Sequence, residues 1–274
     1  MLGLGWDNLR KIPCDDNLAM KPELLAEQIR QDREAGLYPC CVIGTTGTTS
    51  TAAVDPIDAI AEVCEKESVW LHVDAAYGGA ASIIPECRPL FKGWERADSV
   101  VVNPHKWLFT PFDLSVLYVR DVEKLKAAFS LTPEYLKNAE EGQVLNLMDT
   151  GIQLGRRFRS LKLWMIFRCF GLDGIRERLT YHVKLAQELG RKIETSTDFE
   201  LALPVSMSLV CFRWSKHSDE EQLELMEKLN AEGRFFISHT KVKDQIVLRC
   251  ALGHIRTSID DVELLFGELT RLVS

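Results

Sequence analysis

A lysine follows an apolar run in Val100 to Trp107, which reads VVVNPHKW. The run predicts a strand, and Lys106 would lie just beyond its carboxyl end, where open α/β sheets form their ligand crevices. A lysine that is desolvated there loses its proton more easily and can attack a carbonyl carbon, as Schiff-base chemistry requires. A lysine on the protein surface would give the same local sequence, so this segment alone leaves both interpretations open.

A second apolar run, WLHVDAAYGG at 70–79, carries Asp74 near its end. A buried carboxylate is costly unless it has a cationic partner. A protonated pyridine nitrogen would be such a partner, and the pair would keep a bound cofactor acting as an electron sink. Ala75 and Ala76 leave room for a flat ring against the backbone. The alternative is an aspartate that caps the turn before Gly78.

Hydroxyl residues and glycines follow a third apolar run, in GTTGTTS at 44–50. Their hydroxyls and backbone N–H groups could hydrogen-bond a phosphate or a phenolic oxygen. The segment is not a Walker loop, because no G-K-[ST] follows it. No G-x-G-x-x-G marks a strand-to-helix turn either. Both absences argue against phosphoryl-transfer and hydride-transfer enzymes.

These segments require a scaffold that brings strand ends together. Strands are expected at 39–43, 69–74, 99–103 and 114–119. Helices are expected at 21–35 and 55–66, the second with Asp55 as N-cap and Pro56 at its first position. Strands that are apolar nearly throughout are typical of a sheet covered on both faces. We therefore predict an α/β domain with a mainly parallel sheet.

The carboxy-terminal part of the chain has a different pattern. It is expected to be helical at 155–195 with a break near 171–174, then strand at 199–214, helix at 219–231, two strands at 235–252 and helix at 260–273. This order predicts a small α+β unit attached by a long helix. We divide the chain into a larger domain, 1–170, and a small carboxy-terminal domain with its linking helix, 171–274.

Composition argues against several kinds of partner. The 274 residues carry a formal net charge of -7, so a basic nucleic-acid surface is not expected. The basic run LGRRFRSLK at 154–162 has apolar residues at helical spacing, and we interpret it as a packing face of a helix. No apolar stretch approaches the roughly 20 residues of a membrane span, and a signal peptide is not recognisable.

Cysteine spacing gives no metal site. The eight cysteines form no C-x-x-C pair and no zinc-like cluster with histidine. Most lie in apolar runs, where a free thiol behaves as a small hydrophobic group. We therefore expect free thiols, no metal and a reducing, cytoplasmic compartment.

The motifs together resemble the group II pyridoxal-dependent decarboxylases. HVDAAYGG and NPHKW place Lys106 32 positions after Asp74, and IPCDDNLAM, GTTGTTS, LTPEYLK and LGRRFRSLKLW are similar to segments of the aromatic L-amino-acid decarboxylases in the same order. The similarity runs from about Leu4 to the carboxyl end. It implies a large domain of the pyridoxal-phosphate-dependent transferase type (fold type I), incomplete here, and pyridoxal 5'-phosphate as cofactor.

The resemblance also implies roles for individual residues. Lys106 would be the Schiff-base lysine, and Asp74 would pair with the pyridinium nitrogen. The remaining cofactor-binding residues would be Ala76 under the ring, Asn103, His105 and Thr49, with His105 also counted as catalytic. Arg249 matches an arginine that binds the substrate carboxylate in some members. A strand arginine can equally be a structural ion-pair partner, so both interpretations of Arg249 stay open.

Two departures from the family pattern affect the expected activity. The chain begins partway through the family's large domain, so the part that builds the dimer, much of the substrate pocket and a ring-stacking histidine have no counterpart here. His72 lies before Asp74 instead. The family's mobile loop carries a tyrosine that protonates the carbanion in the partner subunit's site, and its position falls on Thr150, a far poorer acid. Tyr135 belongs to the separate segment LTPEYLK.

Three functional hypotheses follow from the resemblance. The first is decarboxylation of an L-amino acid by a homodimer, and the aromatic type of that amino acid is implied by the family resemblance alone. The second is an aromatic acetaldehyde synthase, because Thr150 replaces the tyrosine. The third is a catalytically inactive fragment, because the amino-terminal part of the family has no counterpart in the chain.

Overall fold

A four-stranded sheet organises the first half of the protein, whose computed structural model describes residues 3–130 and 146–274. Its strands are β1 Cys41–Thr45, β2 Trp70–Asp74, β3 Ser99–Val102 and β4 Val116–Val119. They lie in the order β1-β2-β3-β4. The first two pairings are parallel and the last is antiparallel. The predicted α/β architecture with a mainly parallel sheet is confirmed.

Helices cover one face of this sheet. They are α1 Pro22–Glu34 and α2 Ile57–Glu67. Their apolar side chains form a core with Val42, Leu71 and Val73, the residues of β1 and β2 that point to that face. Two further helices, α3 Pro104–Trp107 and α4 Val122–Phe129, follow β3 and β4. The core thus holds β1 and β2 in place from one side.

The expectation of a sheet covered on both faces is wrong for the described residues. Ile43 pairs with His72 and Val101 pairs with Leu117, so these side chains share the face opposite α1 and α2. Ile43 is 55% exposed and Leu117 is 49% exposed. The apolar composition of the strands indicates that both faces are built for burial, whereas only one is covered within the described part of the chain.

The start of α2 also differs from the prediction. Asp55 does not cap the helix, whose N-cap is Pro56 without a side-chain hydrogen bond. The Asp55 carboxylate instead accepts hydrogen bonds from the backbone N–H groups of Met20 and Thr45, both at 2.7 Å. Burial raises the pKa of Asp55, and these two bonds oppose that rise. Asp55 therefore links three chain segments and does not cap the start of α2.

A long helix, α5 Ser160–Glu194, leads into the carboxy-terminal part. Gly171 interrupts it with φ 66° and ψ 167°, at the predicted break. Such a positive φ is open to glycine at low cost because glycine has no Cβ. The helix passes through the domain boundary expected at 170/171, which stays a prediction.

The carboxy-terminal sheet is antiparallel throughout. Its strands are β5 Phe199–Leu201, β6 Leu209–Trp214, β7 Ser238–Val242 and β8 Gln245–Ala251, in the order β5-β6-β8-β7. α6 Asp219–Ala231 and α7 Ile259–Val273 pack against it with the second half of α5. The predicted α+β unit is present. The single strand expected at 199–214 is wrong, because the chain turns between β5 and β6.

All eight cysteines are free thiols. Within 3–130 and 146–274, no three acidic, histidine or cysteine side chains are grouped as metal ligands. In the same residues, no helix combines the length and apolar character needed to cross a bilayer.

Candidate functional site

The carboxyl ends of β1, β2 and β3 meet at one edge of the first sheet. Thr45 pairs with Asp74, and Asp74 pairs with Val101, so the three strands end in register. The backbone N–H of Thr46 donates to the carbonyl oxygen of Asp74 at 2.9 Å. The loops that follow these strands therefore start side by side, as the sequence predicts for a ligand site of an open sheet.

Asp74 ends β2 with a half-buried carboxylate. Its Oδ1 accepts a hydrogen bond from the backbone N–H of Ala76 at 3.0 Å. No lysine or arginine among the described residues forms an ion pair with it. The turn-capping bond that the alternative interpretation requires is thus present. It occupies one oxygen and leaves the negative charge without a cation.

Lys106 lies in the single turn of α3. Pro104 opens this helix, and the backbone N–H of Lys106 donates to the carbonyl oxygen of Asn103 at 2.9 Å. The lysine side chain is exposed. The desolvation expected from the sequence is therefore not provided by the described residues, and only an added group or chain segment could supply it.

Asn103 and His105 flank Pro104 on either side. The Oδ1 atom of Asn103 is buried and has no hydrogen-bond partner among the described residues. His105 places Nδ1 2.9 Å from the backbone N–H of Leu114 and 2.5 Å from its carbonyl oxygen. Its ring meets Phe112 edge-on at 4.9 Å between centroids. His105 is thus fixed by the backbone, whereas Asn103 retains unused hydrogen-bonding capacity.

Glycines allow the loop after β1 to pack closely on the loop after β2. Gly47 has φ +86°, and a Cβ on Gly78 would lie 2.3 Å from the carbonyl oxygen of Thr46. Thr48 uses its hydroxyl within the loop, where Oγ1 accepts from the N–H of Ala53 at 3.0 Å. These contacts leave no room for side chains at either glycine.

Thr49 and Arg249 meet where the two sheets approach each other. Thr49 is exposed at the tip of its loop. Arg249 on β8 donates from Nη2 to the Thr49 carbonyl and from Nε to the Ser50 carbonyl, both at 2.9 Å. Its Nη1 donates to the hydroxyl of Ser238 at 3.4 Å. Arg249 is therefore engaged with a loop backbone rather than with a carboxylate of the chain. Its role toward a substrate stays a prediction.

Sequence reasoning missed an aromatic pair beside the lysine. Tyr77 stacks on Trp107 with 5.1 Å between centroids and 15° between planes. The Tyr77 hydroxyl lies 2.6 Å from Oγ of Ser208 in the carboxy-terminal part. The only signal in the sequence is that each aromatic residue lies within a motif, Tyr77 in HVDAAYGG and Trp107 in NPHKW. Local pattern gives no indication that the two rings meet.

Thr150 lies in a short 3-10 turn, Leu147–Thr150, and its hydroxyl donates to the carbonyl oxygen of Leu147 at 2.7 Å. A threonine hydroxyl at this position is thus satisfied locally. Tyr135 lies outside the described residues.

The residues at the sheet edge fit pyridoxal phosphate. Asp74 offers an uncompensated carboxylate, Lys106 an accessible amine, and Asn103 a buried amide oxygen without a partner. A buried polar atom without a partner costs about 1–3 kcal/mol, so a bound polar group there would relieve a cost. The small Ala76 keeps the space beside Asp74 free of bulk.

Comparison with known proteins agrees with this description. A phenylacetaldehyde synthase of Arabidopsis thaliana is 42% identical over 261 residues, which cover 92% of this chain and 53% of that protein. An aromatic-L-amino-acid decarboxylase of Cavia porcellus is 37% identical over 273 residues, covering 99% and 57%. The crystal structure of Oryza sativa TDC with PLP and tryptamine gives a TM-score of 0.93 at 38% identity, covering 99% and 59%.

The fold, shared over nearly the whole chain with these structures, is that of the fold type I proteins that use pyridoxal phosphate. The chain belongs to the pyridoxal-dependent decarboxylase family, whose conserved domain matches residues 2–215. The resemblance and the fold class predicted from the sequence are confirmed. The chain spans about half the length of the curated relatives it matches.

Proposed function

We propose that the protein holds pyridoxal phosphate at Lys106 and decarboxylates an aromatic L-amino acid. The observation that carries the proposal is the meeting of Asp74 and the Lys106 turn at one strand-end edge, with the Asp74 charge lacking a cation. The aromatic preference is supported by relatives that are tryptophan, tyrosine and aromatic-L-amino-acid decarboxylases. Because the chain spans only about half of those relatives, the activity is proposed for the whole protein.

The cofactor supplies an electron sink when bound. The Lys106 amine would hold its carbonyl carbon, and the Asp74 carboxylate would keep a proton on the ring nitrogen. Ala76 would support the ring. Asn103, His105 and Thr49 would hold its polar groups, and Arg249 would attract the substrate carboxylate with whatever hydrogen-bonding capacity its loop contacts leave.

A homodimer is part of the proposal. Apolar side chains project from the segment before α5 and from its first turns, namely Ile152, Leu154, Phe158, Leu161, Trp164 and Met165. We call this set the α5 apolar surface. The pattern of LGRRFRSLK predicts a packing face of a helix, but only 160–162 of it lie in α5, and its Leu154, Phe158 and Leu161 are exposed. An exposed apolar surface of this kind is typical of a protein–protein contact, and a second copy of the chain is the partner that the family favours. The free thiols support a reducing, cytoplasmic location.

An aromatic acetaldehyde synthase is the second candidate. Thr150 stands at the position of the family's acidic tyrosine, and its hydroxyl donates to Leu147 rather than being free. Both reactions release carbon dioxide, but the synthase also consumes dioxygen and water and releases aldehyde, ammonia and hydrogen peroxide. The similarity to a phenylacetaldehyde synthase supports this candidate, just as the similarity to decarboxylases supports the first.

One experiment tests the cofactor site and then the reaction. Pyridoxal phosphate is added to the purified protein, and the visible absorption of the lysine-bound cofactor is recorded for the wild type and Lys106→Ala. Lys162→Ala is the matched control, because its ammonium donates to the carbonyls of Pro111 and Asp113 instead. A band that only Lys106→Ala loses supports the site, and amine, aldehyde and peroxide assays then separate the two reactions. A folded wild type that shows no band contradicts both and leaves the inactive fragment.

A further inference from the structure

His182 is a buried titratable residue that neither proposed reaction uses. It lies on α5, is 1% exposed, and uses both ring nitrogens. Nε1–H of Trp107 donates to its Nδ1 at 3.1 Å. Its Nε2 lies 3.1 Å from the carbonyl oxygen of His254. Because Nδ1 accepts, the proton resides on Nε2, which donates to His254. Burial lowers the pKa of His182, which favours this neutral form.

Trp107 connects this histidine to the candidate Schiff-base lysine. The tryptophan directly follows Lys106 in α3 and is itself 1% exposed. One face of its indole stacks on Tyr77, whose hydroxyl contacts Ser208. Phe109 meets the His182 ring edge-on at 5.8 Å. Tyr77 and Trp107, which belong to the same motifs as Asp74 and Lys106, are thus both linked to the carboxy-terminal part.

The helix that carries Lys106 cannot hold its own orientation. α3 has four residues, which is too short for a helix to be stable by its own hydrogen bonds. The backbone N–H of Lys106 has a partner within the same turn, the carbonyl of Asn103. The buried side chain of Trp107 therefore fixes the direction in which the neighbouring Lys106 leaves the backbone.

We propose that His182 is a positioning residue, which sets the orientation of Lys106 by holding the Trp107 indole against the backbone of His254. The expected effect on cofactor binding rests on the proposed function. The expected effect on the orientation of the α3 turn does not. An apolar residue of similar size would fill the same space. It would leave the Trp107 N–H and the His254 carbonyl buried without partners.

The test compares three single variants in the wild-type background and then repeats His182→Leu in a Trp107→Phe background. His182→Leu removes both hydrogen bonds, whereas His182→Gln offers an amide oxygen and an amide N–H in their place. Leu229→Ala is the matched control: it lies in the carboxy-terminal core and lowers the melting temperature without touching the α3 turn. Two quantities are measured for each: amide hydrogen exchange of the 103–109 peptide in the cofactor-free protein, and the dissociation constant for pyridoxal phosphate with borohydride trapping on Lys106.

His182→Leu is expected to raise exchange in 103–109 and to weaken cofactor binding about tenfold, because the Trp107 N–H next to Lys106 is left buried without a partner. His182→Gln should recover most of both quantities. Leu229→Ala should change neither, although it lowers the melting temperature. Trp107→Phe, which lacks the indole N–H, should make the further replacement of His182 by leucine nearly without effect.

Two results would overturn the inference. One is that His182→Leu shows the same amide exchange in 103–109 as the wild type, whatever its affinity for pyridoxal phosphate. The other is an equal rise for Leu229→Ala, which would show general loosening. A wild type that binds no pyridoxal phosphate contradicts the proposed function instead, and the exchange comparison still decides whether His182 holds the turn.

Discussion

The backbone N–H of Asn103 donates a hydrogen bond of 3.1 Å to the carbonyl oxygen of Ala76. This bond continues the parallel pairing of β2 and β3 beyond the ends of the strands. Asp74 and Lys106 are 32 positions apart in the chain, and the bond joins the segments that carry them within three residues of each. The backbone segments that carry the two side chains are therefore joined by a bond that substitution of either side chain leaves in place.

Asp74→Asn should weaken pyridoxal phosphate binding about 10- to 100-fold, because the amide cannot balance a protonated ring nitrogen. The fold should persist, since the asparagine oxygen can still accept from the Ala76 N–H. Titration of the visible band measures the affinity. Asp58→Asn is the control, because Asp58 lies on α2 and forms ion pairs with Lys92 and Arg96. Equal affinity of Asp74→Asn and the wild type for pyridoxal phosphate would show that Asp74 does not bind the cofactor.

Gly78→Ala should destabilise the protein by about 1–3 kcal/mol through overpacking. Its new methyl group would lie 2.3 Å from the Thr46 carbonyl oxygen and 2.7 Å from Cε of Met207. Gly267→Ala in α7 meets no atom within 4 Å and should stabilise by about 0.5–1 kcal/mol, because alanine favours a helix. Urea denaturation measures both. A stable Gly78→Ala would show that the two loops can separate.

Stability should fall as the pH drops below about 6.5, the ordinary pKa of histidine. Burial lowers the pKa of folded His182, and the hydrogen bond to the His254 carbonyl opposes that fall only in part. Between the lowered folded pKa and the unfolded value, the unfolded chain binds more protons. The free energy of unfolding therefore rises with pH through that window and is lost on acidification.

His182→Gln should show a flatter dependence across the same window. His72, whose pKa burial also lowers, is present in both proteins and cancels in the difference. Denaturation midpoints measured across this range provide the comparison. Parallel curves for the two proteins would mean that His182 titrates alike in the folded and unfolded states.

Thr150→Tyr should raise the ratio of amine to aldehyde, because a phenol donates a proton to a carbanion more readily than an alcohol does. Amine, aldehyde and hydrogen peroxide are measured per carbon dioxide released. Thr150→Ser, which keeps an alcohol able to donate to Leu147, is the control and should keep the wild-type ratio. An unchanged ratio in Thr150→Tyr would place the proton donor elsewhere.

Trp164→Glu should convert a dimer into a monomer, because it places a charge in the α5 apolar surface, where Trp164 is 58% exposed. Sedimentation velocity measures the association state. Trp6→Glu changes an exposed tryptophan outside that surface and should leave the association state as it is. If the wild type is already monomeric at high concentration, a second copy does not cover the α5 apolar surface.

The elements most accurately predicted are those whose signals are local. α6 was expected at 219–231 and is found there, since Ser218 and Glu221 form a capping box at its start. The apolar runs likewise gave each strand of the first sheet within two residues of its observed start. Asp74 and Lys106 could be assigned to strand ends from those runs alone.

Long-range partners could not be predicted in the same way. Trp107 and His182 are 75 positions apart, and neither lies in a pattern that indicates the other. Asp55 has the sequence of an N-cap, yet its carboxylate bonds to Met20 and Thr45 instead. In both cases tertiary contacts, rather than local preference, decide which hydrogen bonds form.

The hydrogen bonds from Arg249 to Thr49 and Ser50 also order events in time. They join residues 200 and 199 positions apart. At roughly 5–20 residues per second, synthesis reaches Arg249 about 10 to 40 seconds after the loop at 44–50 has been made. The nascent loop therefore lacks these two hydrogen bonds until β8 has been made. A chain released before β8 has a candidate cofactor loop without its contacts to Arg249.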